Sequence, residues 1–374
     1  MAEPSGPDLR SESASGRGVR GGATARSGGA PLVSVVVAAY QAEATLGATL
    51  RSILDQTHRE LEVIVVDDGS TDATSAVAEG FAEIDDRVRP VRIGHNVGRS
   101  AARNRGLDLA RGVWVCPADA DDLWARWRLR EFFAAARRFG DVEAFTDDLI
   151  EFFVGSDGSV SLGHRYVSRV SWWLGPPHRL SLDTWFRDRE CHMRAFIRRD
   201  LLDRHGIRFP VDLSAGEDLA FYLQVAFARG TPAPVRVARP NYYYRSGESV
   251  RAANMAESRV RMGEIAVAAT GSRRLAELVA QTDPERVFMY RRADRIWAER
   301  GRSGERDPGS DEVELRMDRI AGCRRLVLNR LTEVLGRLAD HRIRPSIVAD
   351  VERQLAAPLP VRTAGGRAEP VRRR

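Results

Sequence analysis

Apolar positions along this chain come in two alternating textures. Short β-branched runs, the first being Val33 to Val37 in "PLVSVVVAAY", are followed by stretches with apolar residues at helical spacing, as with Leu46, Leu50, Ile53 and Leu54 in "EATLGATLRSILDQ". A run of the first kind marks a strand buried on both faces of a parallel sheet. The second kind marks a helix with one apolar face. The pair recurs as "LEVIVVDDGS" with "DATSAVAEGFAE", as "VRPVRI" with "SAARNRGLDLARG", and as "VWVCPADADD" with "LWARWRLREFFAAARRFG". Ser70 or Thr71 is placed to cap the second helix. Strands alternating with helices in this way predict an α/β fold built on a doubly wound, mostly parallel sheet with helices on both faces.

The pattern then changes. Residues 141 to 250 are less regular, with an aromatic patch around Trp172, Trp173 and Trp185, a helix in "SAGEDLAFYLQVAFARG" and a strand in "PNYYYRSGESV". From Ala252 the spacing turns helical, and Val313, Met317, Ile320, Val327, Leu331, Val334 and Leu338 share one stripe. This predicts a C-terminal α-helical region over 251–360. Residues 1–30 have no apolar periodicity and read as a disordered tail, and 361–374 as a loose basic tail. At 374 residues the chain exceeds what one core organises, so a main domain over 31–250 with an appendage is expected.

Composition narrows the function classes. With 43% hydrophobic and 7% aromatic residues the chain reads as soluble and globular. It has no uninterrupted apolar run of the roughly 20 residues a membrane span needs, and its N-terminus lacks the apolar centre of a secretory signal. A cytoplasmic location is therefore expected. Cys116, Cys191 and Cys323 form no CxxC pair, which excludes a disulfide framework or zinc knuckle as the reading, and Cys116 sits in an apolar run as a core residue. The net charge of +6 rests entirely on arginine, since no lysine occurs, and no RNP-type motif or zinc finger accompanies it. The charge reads as a solvated surface, and no nucleic-acid partner is expected.

Chemistry concentrates where strands end. Asp67 and Asp68 close one strand, and Asp119, Asp121 and Asp122 close another. Ligands of open α/β sheets gather at the carboxyl ends of the strands. No GxGxxG follows the first strand, and a chain without lysine has no GxxxxGK[ST] loop. Phosphate would have to be neutralised by a metal or by arginine. Clustered carboxylates suit Mg²⁺ or Mn²⁺, hard cations that bridge substrate phosphates.

Taken together, "SVVVAAYQAEATLGATLRSILDQTHRELEVIVVDDGSTDAT", "NVGRSAARNRGLDLARG" and "ADADDLW" resemble family-2 glycosyltransferases of the GT-A fold, over residues 32 to about 130. The resemblance implies a nucleotide-sugar-binding half over 31–130 and an acceptor-binding half over 131–250. Ala38 to Tyr40 would line the base and ribose, although Ala38 stands where the family commonly has proline and Gln41 where it has asparagine. Asp67 and Asp68 match the acids that reach the base, where a carboxylate accepting the imide N–H of uracil or thymine discriminates against cytosine. Arg103 matches a position near the nucleotide; its alternative is a salt bridge on a helix surface. Of the DxD stretch, Asp119 would help hold the ribose or the metal's water shell, Ala120 would lie against the nucleotide sugar, and Asp121 would bind the metal. Asp218 of "GED" matches the general base of an inverting transfer, and Glu217 would orient the acceptor; acids at a helix N-terminus are also favoured by the dipole alone.

The implied partners are a UDP- or dTDP-sugar donor, a divalent cation, and a carbohydrate, lipid-linked or small-molecule acceptor, in cell-surface polysaccharide or glycolipid assembly. Decoration of a secondary metabolite, a nucleotidyltransferase and a non-catalytic sugar-nucleotide scaffold are the rival readings. The tryptophans are an acceptor platform or core; His192 is a donor or acceptor contact or a structural histidine; Tyr242 to Tyr244 are a strand; Arg245 is a diphosphate partner or none. The C-terminal helices are open to three roles: packing on the domain, a homodimer interface, or a peripheral contact with the inner face of a membrane.

Overall fold

Four parallel strands form the N-terminal half of the sheet: β1 (Val33–Ala39), β2 (Leu61–Asp67), β3 (Val88–Arg92) and β4 (Trp114–Asp119), in the order β3-β2-β1-β4. The computed structural model describes residues 32–165, 177–179, 194–213, 216–228, 234–246 and 344–357. The disordered tail expected over 1–30, the stripe from Val313 to Leu338, the basic tail over 361–374, Trp172, Trp173, Trp185 and His192 all lie outside these residues. Because β1 has β2 on one side and β4 on the other, the order reverses at β1. The register sets Ala39 beside Asp67 and Ala38 beside Asp119, so the acid-bearing strand ends flank the topological switch point.

The β-branched runs are buried on both faces. Val33, Val35 and Val37 of β1, with Leu61, Val63 and Val65 of β2, face one apolar layer, while Val36, Ile64 and Val66 face the other. Helices α1 (Leu46–Leu54), α2 (Thr74–Ile84) and α4 (Arg128–Arg138) cover the first face. Helices α3 (Arg99–Leu109), α5 (Arg199–His205) and α6 (Glu217–Phe227) cover the second. Close helix packing is built in at Gly106, where a Cβ would lie 2.2 Å from Val36 Cγ1. Among the described residues no helix is long and apolar enough to cross a membrane.

Beyond β4 the sheet becomes mixed. It continues as β9 (Phe196–Arg198), β6 (Ala144–Val154), β10 (Val235–Arg245) and β5 (Leu123–Trp124). β9 is antiparallel to β4 and β6, whereas β10 is parallel to β6 and antiparallel to β5. β7 (Val160–Arg165) and β8 (His178–Arg179) pair with β6 and β10 respectively. A final helix, α7, spans 344–356.

Two local expectations are corrected. Leu123 and Trp124 begin no helix; they form β5, because a fully buried Trp124 pairs across β10, and a turn at residues 125–128 then leads into α4 at Arg128. Ser70 and Thr71 do not cap α2. Ser70 accepts the backbone N–H of Gln41, and Asp72 accepts both the N–H and the hydroxyl of Thr74 at the helix start.

Arg128 is buried in the apolar layer. Arg128 makes a bidentate pair with Asp147 at 2.7 and 2.9 Å, donates to the Arg194 carbonyl at 2.6 Å, and lies 4.2 Å from the Trp124 ring, 4.7 Å from Phe196 and 4.8 Å from Tyr242. Burial opposes its charge, but Asp147 keeps the guanidinium firmly protonated. Removing one partner of such a pair strands the other charge in an apolar cage. Asp147→Ala should therefore lower the unfolding free energy in a guanidinium titration by about 3–5 kcal/mol.

Candidate active site

The switch point carries a chain of alternating charges. Arg99 meets Glu217 at 3.2 Å, Glu217 meets Arg103 at 3.1 Å, and Arg103 meets Asp119 at 2.5 Å. Asp119 then meets Arg194 at 2.5 Å, and Arg194 meets Asp218 at 3.5 Å. Each member has a defined seat: Arg99 and Arg103 on α3, Asp119 at the end of β4, Arg194 just ahead of β9, and Glu217 and Asp218 in the first turn of α6. Arg103 and Arg194 are buried, and each gives one nitrogen to a different oxygen of Asp119. Burial works against the charge on Asp119, but Arg194 and Arg103 hold its carboxyl well below the usual carboxylate range. The same contacts raise both arginines against their own burial.

Asp121 and Asp122 stand outside this chain. Asp122 is fully buried; it accepts the Tyr242 hydroxyl at 2.6 Å and the Arg245 backbone N–H at 2.7 Å. Asp121 has an exposed side chain, and among the described residues no arginine pairs with its carboxylate. Partial desolvation by the surrounding chain, together with the charge of Asp119, pushes its carboxyl up to about 6. A carboxylate held against other acids without a cation of its own suits a divalent metal. Among the described residues no three His, Cys, Asp or Glu side chains converge on one point. A cation at Asp121 would therefore complete its shell from a diphosphate and water, the mode Mg²⁺ prefers.

The remaining sequence-predicted residues are distributed around this centre. Ala38 lies at the end of β1 in register with Asp119, and Tyr40 beyond it is 51% exposed. The Ala120 carbonyl accepts the Thr49 hydroxyl of α1 at 3.0 Å, which fixes the middle of the DxD turn. Asp67 and Asp68 are buried and engaged within the chain. Asp67 accepts the Ser70 N–H and the Ser75 hydroxyl, and Asp68 accepts the N–H groups of Val97 and Gly98. Both acids thus shape the loops that border the β1 and β2 ends. Gly69 between them and Ser70 has φ +74°, and a Cβ there would lie 2.5 Å from the His95 backbone.

Sequence reasoning missed Arg194, Arg128 and the role of Tyr242. Arg194 stood two residues from the singled-out His192 and belongs to no motif; only its placement ahead of β9 brings it to Asp119. Tyr242 lay within a run read simply as a strand. In a chain without lysine, an arginine before a short apolar strand was the one available signal.

Comparison with known proteins agrees with this architecture. Residues 34–206 match the family model described as Glycosyl transferase family 2. The succinoglycan biosynthesis protein ExoO of Rhizobium meliloti (strain 1021) is 30% identical over 223 residues, covering 59% of this chain and 63% of ExoO. Glycosyltransferase GlyA of Streptococcus pneumoniae serotype 4 is 41% identical over 90 residues, covering 24% of this chain and 13% of GlyA. The chain thus spans less than two thirds of the length of these relatives. Residues 1–349 of TarS of S. aureus, solved with UDP and with UDP-GlcNAc, superpose with a TM-score of 0.53 at 20% identity, over 66% of this chain and 69–70% of that 1–349 chain, which is a likeness of fold.

The raised carboxyl of Asp121 gives a pH test on the ligand-free protein. Its folded value near 6 exceeds the ordinary carboxylate value of 3.8, so the native state carries a penalty once the group ionises. Asp121→Asn should melt higher than wild type above about pH 6. The advantage should shrink as pH falls and vanish below about pH 4, where the carboxyl is neutral in both folded and unfolded chains.

Proposed function

We propose that the protein, whose residues 34–206 match the family model of Glycosyl transferase family 2 and whose fold is like that of TarS, is a family-2 glycosyltransferase of the GT-A fold that transfers a sugar from a nucleotide diphosphate donor to an acceptor hydroxyl with inversion at the anomeric carbon. The observation that carries this reading is the charge chain from Arg99 to Asp218. It joins the donor side of the sheet, at Asp119, to the acceptor side, at α6, in one continuous site.

The donor is a UDP- or dTDP-sugar. Its nucleotide lies across the ends of β1 and β2, between Ala38, Tyr40 and the loops shaped by Asp67 and Asp68, with its diphosphate against Asp119 and Asp121. TarS, solved with UDP and UDP-GlcNAc on the same fold, supports the uridine nucleotide. Asp121 would hold a Mg²⁺ or Mn²⁺ ion, which would supply positive charge against the departing diphosphate. The chain's own residues do the rest. Asp119, fixed by Arg103 and Arg194, is a rigid acceptor for a ribose hydroxyl or a metal-bound water.

Asp218 is the base. Glu217 is buried and engaged by Arg99 and Arg103, so its role is to hold those two cations rather than to orient the acceptor. Asp218 keeps 23% of its side-chain surface, enough for an acceptor hydroxyl to reach it. In the step, the acceptor oxygen bonds to the anomeric carbon as the bond to the diphosphate breaks. The hydroxyl proton passes to Asp218, and the bonding pair leaves on the diphosphate. The acceptor is a carbohydrate or lipid-linked glycan in cell-surface polysaccharide assembly; the printed name of the succinoglycan biosynthesis protein ExoO supports the polysaccharide part of this reading.

Asp218→Asn should retain binding of UDP with Mn²⁺ while turnover of a competent donor and acceptor falls by about 10²–10⁴-fold. Undiminished turnover in that variant would remove Asp218 from the mechanism.

A further inference from the structure

The tyrosine run on β10 takes no part in the chemistry above, yet its side chains lie on two sides of the strand, as the pleat dictates. Tyr242 packs in the apolar cluster with Trp124 and Phe196. Its hydroxyl donates to Asp122 at 2.6 Å and accepts the backbone N–H of Asp119 at 3.3 Å. Tyr243 packs in a different cluster, with Leu123 of β5 and with Ile347 and Val351 of α7. Its hydroxyl donates to Asp350 of α7 at 3.2 Å. Opposite these tyrosines, in register, are Trp124 and Leu123, the residues that follow the acidic turn directly.

Helix α7 fastens the same assembly from outside. Gln354 donates to the Trp124 carbonyl at 3.2 Å, and Arg344 donates to the carbonyls of Leu162 and Gly163 on β7. Val351 is fully buried and Ile347 nearly so. Two strands of two and eleven residues at the end of the sheet, β5 and β10, therefore bear the acidic turn on one side and α7 on the other.

We infer that Tyr242 and Tyr243 are positioning residues that pin the turn 119–122, Tyr242 directly through Asp122 and Asp119, and Tyr243 by seating α7 on β5 and β10. The C-terminal helix is in this sense a working part of the acidic turn, although about a hundred residues of chain separate it from β10. The consequence for donor binding rests on the proposed donor site; the consequence for the turn does not.

Hydrogen–deuterium exchange on the full-length, ligand-free chain separates the two. In Tyr242→Phe, amide exchange over 119–124 should rise about tenfold, the scale of one lost buried hydrogen bond, while 61–67 of β2 stays at the wild-type rate. In Val351→Asp and Tyr243→Phe, exchange should rise over both 344–356 and 119–124, again with 61–67 unchanged. Titration of UDP with Mn²⁺ into the same proteins should show affinity weakened about tenfold, the equivalent of that bond. Loosened exchange at 119–124 with no UDP binding even in wild type would support the positioning role and overturn the donor-site reading. Exchange at 119–124 that stays at the wild-type rate in Tyr242→Phe, or in Val351→Asp while 344–356 opens, would overturn the positioning role.

Discussion

The Asp119 carboxylate between two buried guanidinium groups is the contact on which the site depends. A lone charge taken from water costs several kcal/mol, and a buried ion pair repays this only when its hydrogen bonds are complete. Here Arg103 and Arg194 each spend one end on Asp119 and the other on α6, so three carboxylates and three arginines, counting Arg99, share a single neutral chain. That balance fixes β4, α3, the approach to β9 and the start of α6 relative to one another. It also isolates Asp121. With Arg103 and Arg194 committed to Asp119, and no ion pair to Asp121 among the described residues, its carboxylate is placed to take a cation from outside the chain.

The surrounding shell serves this arrangement. Arg128 holds the Arg194 carbonyl from within the apolar layer, so the orientation of Arg194 is inherited from a pair buried beneath it. Thr49 fixes the Ala120 carbonyl, and Tyr242 the turn beyond it. Asp67 and Asp68 spend their oxygens on loop amides and a hydroxyl, keeping the β2 end open beside β1. A site assembled on strand ends and supported this way is ready before a ligand arrives, which is what electrostatic catalysis requires.

Much of this was legible in the chain. The strand ends announced themselves because an unbroken apolar run that stops at acids has few structural uses, and the alternation of Val33 to Val37 across two apolar layers reproduces the burial its composition demands. The GED pair was visible as a motif. What the residues did not disclose was long-range. Arg194 reaches Asp119 across 75 positions and only because β9 runs antiparallel to β4. Trp124 looked helical by spacing; pairing with β10, more than a hundred residues later, made it a strand. The sequence separated Asp218 from Glu217 by motif alone; the fold adds that Arg99 and Arg103 engage Glu217, whereas Asp218 meets Arg194 and keeps 23% of its side-chain surface exposed. Local pattern decides the elements, and tertiary pairing decides which arginine each of two neighbouring acids meets.

In the proposed function, Asp121 and its fixed neighbours form a metal-assisted diphosphate site. Isothermal titration of UDP into the folded protein, with and without Mn²⁺, tests it most directly. The account predicts binding that the metal strengthens by at least about tenfold, a difference of roughly 1.4 kcal/mol, and that Asp121→Ala reduces to the metal-free level. Metal-independent binding, or no binding of UDP or dTDP by a protein that is demonstrably folded, would contradict it.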